Sequence, residues 1–245
     1  MNIVRNILGR IFAAWAMLVF VVTMLLIFIP FLVTGLWKEP QRTIFFIELS
    51  RFWMKAFFTL TGVRRIFKGR ENFKEGENYI VVCNHNTFMD IPLSSPGIPG
   101  GNKTIAKFEM ARIPLFGIIY KRGSVLVDRK SEESRKASFL KMKEVLGMGL
   151  HMCIYPEGTR NKTNEPLQRF HDGAFKLAID SGHGILPAVI FYSRNVLPPD
   201  KKFFFWPHKV EMHFLPPVYP QGLKLDELKS IVFERMKEEL VRNED

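Results

Sequence analysis

The sequence predicts an α/β fold: a mixed, largely parallel sheet flanked by helices, preceded by an N-terminal hydrophobic helical membrane anchor. From about residue 63 onward, short apolar runs typical of buried strands alternate with amphipathic helical segments. Before them lies a run, 11–37, that contains no charged residue. Neither repeats nor long linkers interrupt the alternating part. We therefore expect two parts, an anchoring segment at 1–62 and one α/β domain at 63–245.

Composition narrows the class of protein. The 245 residues include 35 Lys and Arg against 24 Asp and Glu, a formal charge of +11, yet 47% are hydrophobic and 23 are Phe. Disordered basic chains lack this much apolar surface. Phosphate binding does not explain the excess of Phe, so we expect no nucleic-acid partner. A basic and apolar chain favours anionic membrane lipids as partners. Only two Cys are present, which excludes a disulfide-rich secreted scaffold.

The first element is the charge-free run at 11–37. As one helix it would reach about 40 Å, against a hydrocarbon core of about 30 Å. A signal peptide has a shorter apolar region, about 7–15 residues, followed by a small-residue cleavage site that this sequence lacks. The run therefore predicts a retained anchor. Because Pro30 lies inside it, a transmembrane helix and a re-entrant hairpin both remain open.

The second element is an amphipathic helix at 44–60. Its charged residues, Glu48, Arg51 and Lys55, share one helical face, and aromatic side chains fill the remainder. Such a helix suits the plane of the bilayer interface. The alternative is a core helix covered by the globular domain. Lys and Arg are denser after the hydrophobic run than before it, which predicts that the C-terminal body lies on the cytoplasmic side.

The remaining elements alternate in type. Buried strands are predicted at 79–83, 124–127, 152–155 and 185–191. Helices are predicted at 131–147, where Ser131 is the expected N-cap, at 170–180, which Gly182 ends, and at 225–242. Strands that alternate with helices predict a sheet covered on both faces.

The segment NHNTFMD, residues 84–90, follows the first of these strands. A His at the carboxyl end of a buried strand lies where open α/β sheets bind ligands. Asp90, five residues beyond His85 and past a turn, can return to hydrogen-bond the imidazole. Such a bond fixes the tautomer and stabilises the imidazolium formed when the other nitrogen accepts a proton. The pattern predicts a catalytic base.

Three other segments supply basic groups after strand-like runs. In Glu157-Gly-Thr-Arg160, glycine permits close backbone approach, and arginine can grip a phosphate through two parallel hydrogen bonds. The alternative is a turn in which Arg160 pairs internally with Glu157. Lys107 and Arg129 each follow an apolar run and can join the same phosphate pocket. Lys176 is a weaker candidate on a helix face.

Four blocks in order resemble the glycerolipid acyltransferases, the 1-acylglycerol-3-phosphate acyltransferase (PlsC) family. NHNTFMD resembles the N-H-x4-D block of that family. The later blocks are similar to its second, third and fourth blocks: Gly123-Ser-Val-Leu-Val-Asp-Arg129, Tyr155-Pro-Glu-Gly-Thr-Arg160 and Ile185-Leu-Pro-Ala-Val-Ile190. Leu126 stands where the second block often has Pro or Phe. The resemblance spans about residues 80–190, and the hydrophobic extension before it also fits.

The resemblance implies a membrane enzyme that moves a fatty acyl group from a thioester to the sn-2 hydroxyl of lysophosphatidic acid. It implies a general base at His85, oriented by Asp90. A phosphate pocket would include Lys107, Arg129, Glu157, Gly158, Thr159 and Arg160. Acyl-CoA or acyl carrier protein would be the donor, no cofactor would be needed, and a bacterial inner membrane would be the location.

Other functions remain open. The acceptor can be lysophosphatidylcholine, a lyso-aminolipid or glycerol 3-phosphate. A lipid hydrolase can use the same His–Asp pair, and a non-catalytic lipid-binding module would share the anchor and the basic residues. No metal-binding motif is expected from the His and Cys spacing. Cys83 and Cys153 are expected in the core. The segment Lys201-Lys-Phe-Phe-Phe-Trp206 is either a loop that enters lipid or a buried strand.

Overall fold

The computed structural model describes residues 3–243, which begin with two long helices. Helix α1, Ile3–Val33, continues through a 3-10 turn, Thr34–Leu36, and α2 follows at Gln41–Leu60. Phe31 contacts Phe46, and Trp53 donates its indole N–H to the hydroxyl of Thr23 at 2.9 Å. The two helices therefore pack as a hairpin.

Strands and shorter helices alternate through the rest of the described chain, as expected. The strands are β1 Arg65–Lys68, β2 Ile80–Cys83, β3 Asn102–Lys107, β4 Ser124–Val127, β5 His151–Ile154, β6 Ile185–Phe191 and β7 Val210–Phe214. The helices are α3 Asp90–Gly97, α4 Phe116–Arg122, α5 Glu132–Gly147, α6 Gly173–Ser181, α7 Ser193–Val196 and α8 Leu225–Arg242.

One mixed, largely parallel sheet contains all the described strands, in the order β1-β7-β6-β2-β5-β3-β4. The five strands from β6 to β4 pair in parallel. β7 is antiparallel to β6, and β1 is parallel to β7. The predicted fold class is therefore confirmed. The five parallel strands end at one common edge, which we call the carboxyl edge.

Helices cover both faces of the sheet. α5, α6 and α8 pack on one face, around Ile80, Val82 and Met152. On the other face, α1, α2 and α3 share one continuous core with Val81, Cys83 and other sheet residues. The expected boundary at residue 62 falls in the loop between α2 and β1. Because the core continues across that boundary, packing does not separate the two predicted parts.

Helix α1 is continuous through Pro30, so the run at 11–37 contains no hairpin before Val33. Its carboxyl end is capped by Arg122, which donates to the carbonyl oxygens of Phe31 and Leu32 and to the hydroxyl of Thr34. Ile3–Leu36 is the one described helical segment long and apolar enough to cross a membrane.

Helix α2 lies between α1 and the globular domain, as the core-helix alternative expects. Ile47 and Phe58 are fully buried, and Arg51 donates to three carbonyl oxygens at the end of α3 and in the loop after it: those of Pro96, Ile98 and Gly100. This corrects the expectation that the aromatic face lies in lipid, because Phe46, Trp53, Phe57 and Phe58 pack inside the protein. Phe45 and Phe52 remain on a narrow exposed stripe.

Strand β7 was not predicted, because Glu211 and His213 interrupt its apolar pattern. Both are buried. Glu211 accepts from Lys209, Lys68 and His213, whose other ring nitrogen is 2.8 Å from Glu239 of α8. Burial alone would raise the pKa of Glu211, but the hydrogen bonds from Lys209, His213 and Lys68 lower it to about 2.

The segment 201–206 is not the buried strand that one of its two expected forms required, and the expectation of a loop that enters lipid stays a prediction. It forms no strand, and Phe204 and Phe205 are buried against the start of α1, where Phe205 donates its backbone N–H to the carbonyl of Gly9 at 3.0 Å. Phe203 remains 52% exposed. The loop is therefore partly core and partly surface.

Candidate active site

The expected site residues follow strands that end at the carboxyl edge. His85 follows β2, Lys107 ends β3, Arg129 follows β4, and the Glu157–Arg160 block follows β5. Asn84 fixes the exit of β2 because its side chain accepts the backbone N–H of Ile190 on β6 at 2.7 Å and donates to the carbonyl of that residue at 3.0 Å. The topology thus gathers segments that are far apart in sequence.

His85 and Asp90 form the expected pair. Nδ1 of His85 is 2.8 Å from Oδ2 of Asp90, and the same oxygen accepts the backbone N–H groups of Asn86 at 2.6 Å and Thr87 at 2.7 Å. Asp90 is fully buried at the first residue of α3. Oδ2 thus accepts three N–H groups, and a negative charge is favourable at a helix N-terminus.

The geometry assigns a role to each ring nitrogen of His85. Nδ1–H donates the hydrogen bond that Oδ2 of Asp90 accepts, so Nε2 is left as the proton acceptor of a neutral imidazole. Within residues 3–243, Nε2 has no hydrogen-bond partner, and the side chain retains 14% exposure. Tyr155 packs against the imidazole at a ring-centroid distance of 4.4 Å. The pair therefore has the geometry that an oriented general base needs.

Glu157 supports the backbone of His85. Its Oε1 accepts the backbone N–H of His85 at 2.8 Å, and its Oε2 accepts that of Gln168 at 3.0 Å. Burial raises the pKa of this carboxyl, which is only 2% exposed. The alternative of an internal Glu157–Arg160 pair is therefore wrong. The placement of Glu157 among the phosphate-binding groups is also corrected, because both its oxygens already accept backbone N–H groups and a carboxylate repels phosphate.

Gly158 is required by backbone conformation and by a close approach. Its φ is +71°, and a Cβ here would lie 2.8 Å from the ring of His171. Its carbonyl oxygen accepts a hydrogen bond from Nη1 of Arg129. The second and third blocks therefore meet directly. Desolvation lowers the pKa of Arg129, which nevertheless stays cationic at physiological pH.

Arg160 lies beside the His85–Asp90 loop rather than paired with an acid. Its guanidinium stacks on the ring of Phe88 at 3.9 Å, and within the described chain it has no hydrogen bond or ion pair. Its donors are free to bind an anion. Thr159 is exposed next to it, and Lys107 is exposed at the end of β3 without a direct contact to the other site residues.

Sequence reasoning missed two residues of the site. Asn161 is fully buried and donates its backbone N–H to the carbonyl oxygen of His85 at 2.6 Å. Arg194 of α7 donates to the carbonyl oxygens of Asn161 and Thr163 at 2.9 and 3.1 Å. Both polar backbone groups of His85 are thus bonded to the loop after β5. A backbone donor carries no side-chain signal, so only the position directly after the third block pointed to Asn161.

The two cysteines are core residues, as expected. Cys83 and Cys153 are fully buried with their sulfur atoms 4.0 Å apart. Burial raises the pKa of the Cys83 thiol, which disfavours a thiolate nucleophile. Across residues 3–243, no group of three or more His, Cys, Asp and Glu side chains is arranged to hold a metal ion.

Comparison with known proteins gives consistent results. A family model described as Acyltransferase matches residues 64–191. The chain is 30% identical over 148 residues to the 1-acyl-sn-glycerol-3-phosphate acyltransferase of Borreliella burgdorferi, covering 60% of this chain and 59% of the relative. It is 27% identical over 174 residues to 1-acyl-sn-glycerol-3-phosphate acyltransferase alpha of Mus musculus, covering 70% of this chain and 61% of the relative.

One solved structure resembles the fold closely. The crystal structure of the 1-acyl-sn-glycerophosphate (LPA) acyltransferase PlsC from Thermotoga maritima superposes with a TM-score of 0.82 and covers 97% of each chain at 24% identity. The likeness includes the two N-terminal helices as well as the α/β body. The chain spans about 60% of the length of the curated relatives that it matches.

Proposed function

The chain belongs to the acyltransferase family, and from that premise we propose that it transfers a fatty acyl group to the sn-2 hydroxyl of lysophosphatidic acid. The product is phosphatidic acid, and the pathway is phospholipid biosynthesis. The observation that carries the proposal is the His85–Asp90 pair, with Nε2 of His85 open and the guanidinium of Arg160 beside it. The names of the relatives support the same acceptor.

His85 is the general base of the proposed reaction. Its Nε2 takes the proton of the acceptor hydroxyl as the oxygen attacks the thioester carbonyl carbon. Asp90 holds Nδ1–H, keeps the ring in its tautomer and offsets the charge of the imidazolium. Collapse of the tetrahedral intermediate breaks the C–S bond. The imidazolium then returns its proton to the leaving thiolate, so no acyl-enzyme and no cofactor is required.

The acceptor's phosphate is held by cationic and hydroxyl groups of the carboxyl edge. Arg160 and Arg129 supply planar guanidinium donors, and Thr159 and Lys107 supply further donors from neighbouring loops. The phosphate and the hydroxyl belong to one molecule, so binding the phosphate aligns the hydroxyl with Nε2. Glu157 and Gly158 act indirectly, the first through the backbone of His85 and the second through Arg129.

The partners and location follow from the substrates. Lysophosphatidic acid is a membrane lipid, and acyl-CoA or acyl carrier protein brings the acyl group from the aqueous side. The long exposed apolar face of α1 attaches the enzyme to a membrane, with the α/β body on the cytoplasmic side of a bacterial inner membrane. Because α1 packs along α2 rather than projecting from the fold, attachment needs no separate anchor domain.

The test is an assay of the full-length chain in mixed detergent micelles. Lysophosphatidic acid, lysophosphatidylcholine, a lyso-aminolipid and glycerol 3-phosphate are each supplied with acyl-CoA and with acyl carrier protein donors. We expect phosphatidic acid as the main product. Transfer to another acceptor only would replace the proposed substrate, and release of free fatty acid without diacyl product would instead identify a hydrolase.

A further inference from the structure

The loop between α7 and β7 is fastened to the first turns of α1 by aromatic side chains. Phe204 packs against Gly9, where any side chain would clash with its ring. Trp206 contacts Phe12 edge-on at 5.6 Å and lies under the guanidinium of Arg5 at 5.0 Å. The loop and the start of α1 therefore form one surface.

Within this loop, Phe203 is exposed. Its neighbours Phe204 and Phe205 are buried, but Phe203 is 52% exposed and its φ is +49°. A bulky residue seldom occupies the left-handed region, and such conformations cluster at ligand-contacting sites. The loop thus keeps the aromatic ring of Phe203 in solvent in an unfavourable backbone conformation. Burial of the ring beside Phe204 and Phe205 would be more favourable for an apolar side chain.

Several cations lie on the loop and on the segments that contact it. Arg5, Arg10, Arg64 and Lys202 are exposed, and Lys201 is half-buried with its ammonium 4.5 Å from the ring of Phe204. The carbonyl of Arg64 accepts the backbone N–H of Val210 at 2.8 Å, so that arginine lies beside the end of the loop. Asp200 is the exposed acid next to the loop lysines. Glu211, just beyond, is buried and neutralised by Lys68 and Lys209.

The position of the surface relates it to catalysis. The chain leaves β6 at its carboxyl end, passes through α7 and this loop, and enters β7, which is antiparallel to β6. It therefore lies on the carboxyl edge, the same edge as His85. The exposed apolar side chains of α1, among them Ile3, Ile7 and Ile11, continue from it along the helix.

We propose that Arg5, Arg10, Arg64, Lys201, Lys202 and Phe203 form a docking surface, the basic tip, for the headgroup region of an anionic bilayer. Phe203 enters the interface while the cations remain at the level of the lipid phosphates. The excess of positive charge and the exposed aromatic ring favour an anionic lipid surface over an apolar protein groove. The inference rests on the proposed membrane function and deepens it, because it orients the carboxyl edge toward the lipid that carries the acceptor.

The first experiment measures cosedimentation of the full-length chain with vesicles of phosphatidylcholine alone or with about one third phosphatidylglycerol. Replacing Lys201 and Lys202 by Ala should weaken binding to the anionic vesicles by tenfold or more, at about fivefold per lysine, and leave binding to neutral vesicles unchanged. Lys143→Ala, on the opposite face of the sheet, is the matched control. Equal loss on both vesicle types, or no loss, would overturn the charge-selective contact.

The second experiment reports insertion directly. Phe203→Cys is labelled with an environment-sensitive dye, while Cys83 and Cys153 are buried. We expect a blue shift on adding anionic vesicles, with none for a dye at Leu140→Cys on exposed α5. An unshifted dye at position 203 under binding conditions refutes the proposal, and a shift induced by soluble protein instead of vesicles would reveal a protein partner. Turnover in detergent micelles should be the same for all these variants, which separates failure of the tip from failure of the proposed reaction.

Discussion

The carboxylate of Glu157 accepts the backbone N–H of His85 at 2.8 Å, although the two residues are 72 positions apart. This bond joins the loop after β2 to the loop after β5. Asn161, four residues beyond Glu157, closes the connection by donating to the carbonyl of His85. Glu157, the acid of the third block, therefore supports the backbone of the proposed base, and in our proposal the neighbouring cations hold the substrate.

Replacing Glu157 by Gln should lower kcat about tenfold and leave KM for lysophosphatidic acid nearly unchanged. The amide offers one acceptor where two backbone N–H groups need one each, and a buried donor without a partner costs about 1–3 kcal/mol. Steady-state kinetics and thermal unfolding measure both effects. Glu165→Gln, an exposed glutamate in the same loop, is the control. A raised KM at unchanged kcat would return Glu157 to the phosphate pocket.

Replacing His85 by Ala should lower kcat by about 10²–10⁴-fold, the usual contribution of a general base. Asp90→Asn should lower kcat by a similar factor, because the amide keeps the shape of the side chain but removes the charge that stabilises the imidazolium. Initial rates at saturating substrate, with circular dichroism to verify folding, measure the effect. His183→Ala controls for loss of a histidine elsewhere. Turnover close to wild type in His85→Ala would eliminate the proposed base.

Replacing Arg160 by Ala should raise KM for lysophosphatidic acid by about 10–100-fold, since a hydrogen bond to a charged group contributes about 1.5–3 kcal/mol. Arg160→Lys should recover part of the loss, because the charge remains but the planar fork does not. KM for the acyl donor should be unaffected. The decisive comparison uses monoacylglycerol, which lacks the phosphate. An equal loss with that acceptor would mean that Arg160 does not bind phosphate.

Elements with a regular pattern were predictable from sequence. Strands β4 and β6 and helix α8 have the expected bounds, and Ser131 caps α5 by accepting the N–H of Ser134. β7 escaped prediction because the partners that make Glu211 and His213 tolerable in a buried strand come from β1 and α8. Such compensation is a property of the tertiary structure and has no local pattern.

In the site, likewise, local contacts were predictable from sequence and contacts between distant segments were not. The pairing of His85 with Asp90 is local, and the spacing of five residues carries it. The separation of Glu157 from Arg160 is not local. Glu157 is held by the backbone N–H groups of His85 and Gln168, and Arg160 is held by the ring of Phe88. Only the tertiary structure brings these partners to residues 157–160. Residue types and spacing were enough to propose the His85–Asp90 pair. To separate the supporting role of Glu157 from the proposed binding role of Arg160, their contacts in the folded protein were needed.

Acid should destabilise the fold through His151, which lies at the start of β5, at the opposite edge of the sheet from the proposed base. Burial, and then the positive charge of Arg51, lower the pKa of His151 from 6.5 to about 4. Its Nδ1 accepts the backbone N–H of Tyr79 at 2.9 Å, which requires the neutral imidazole. Below pH 6.5, His151 therefore binds a proton in the unfolded chain but stays neutral in the folded chain until the pH approaches 4. This contribution to stability is complete above pH 6.5 and is lost as the pH falls toward 4.

The loss should approach about 3.5 kcal/mol as an upper limit, since the pKa falls from 6.5 to about 4 and each pKa unit corresponds to about 1.4 kcal/mol. His151→Gln keeps an acceptor for the N–H of Tyr79 but does not titrate. The free energy of unfolding in urea, measured for both chains from pH 7 to pH 4, should fall more steeply for the wild type. His208→Gln, at a more exposed histidine, should follow the wild type. If the His151→Gln and wild-type curves run parallel, the acid sensitivity of the fold resides in other groups.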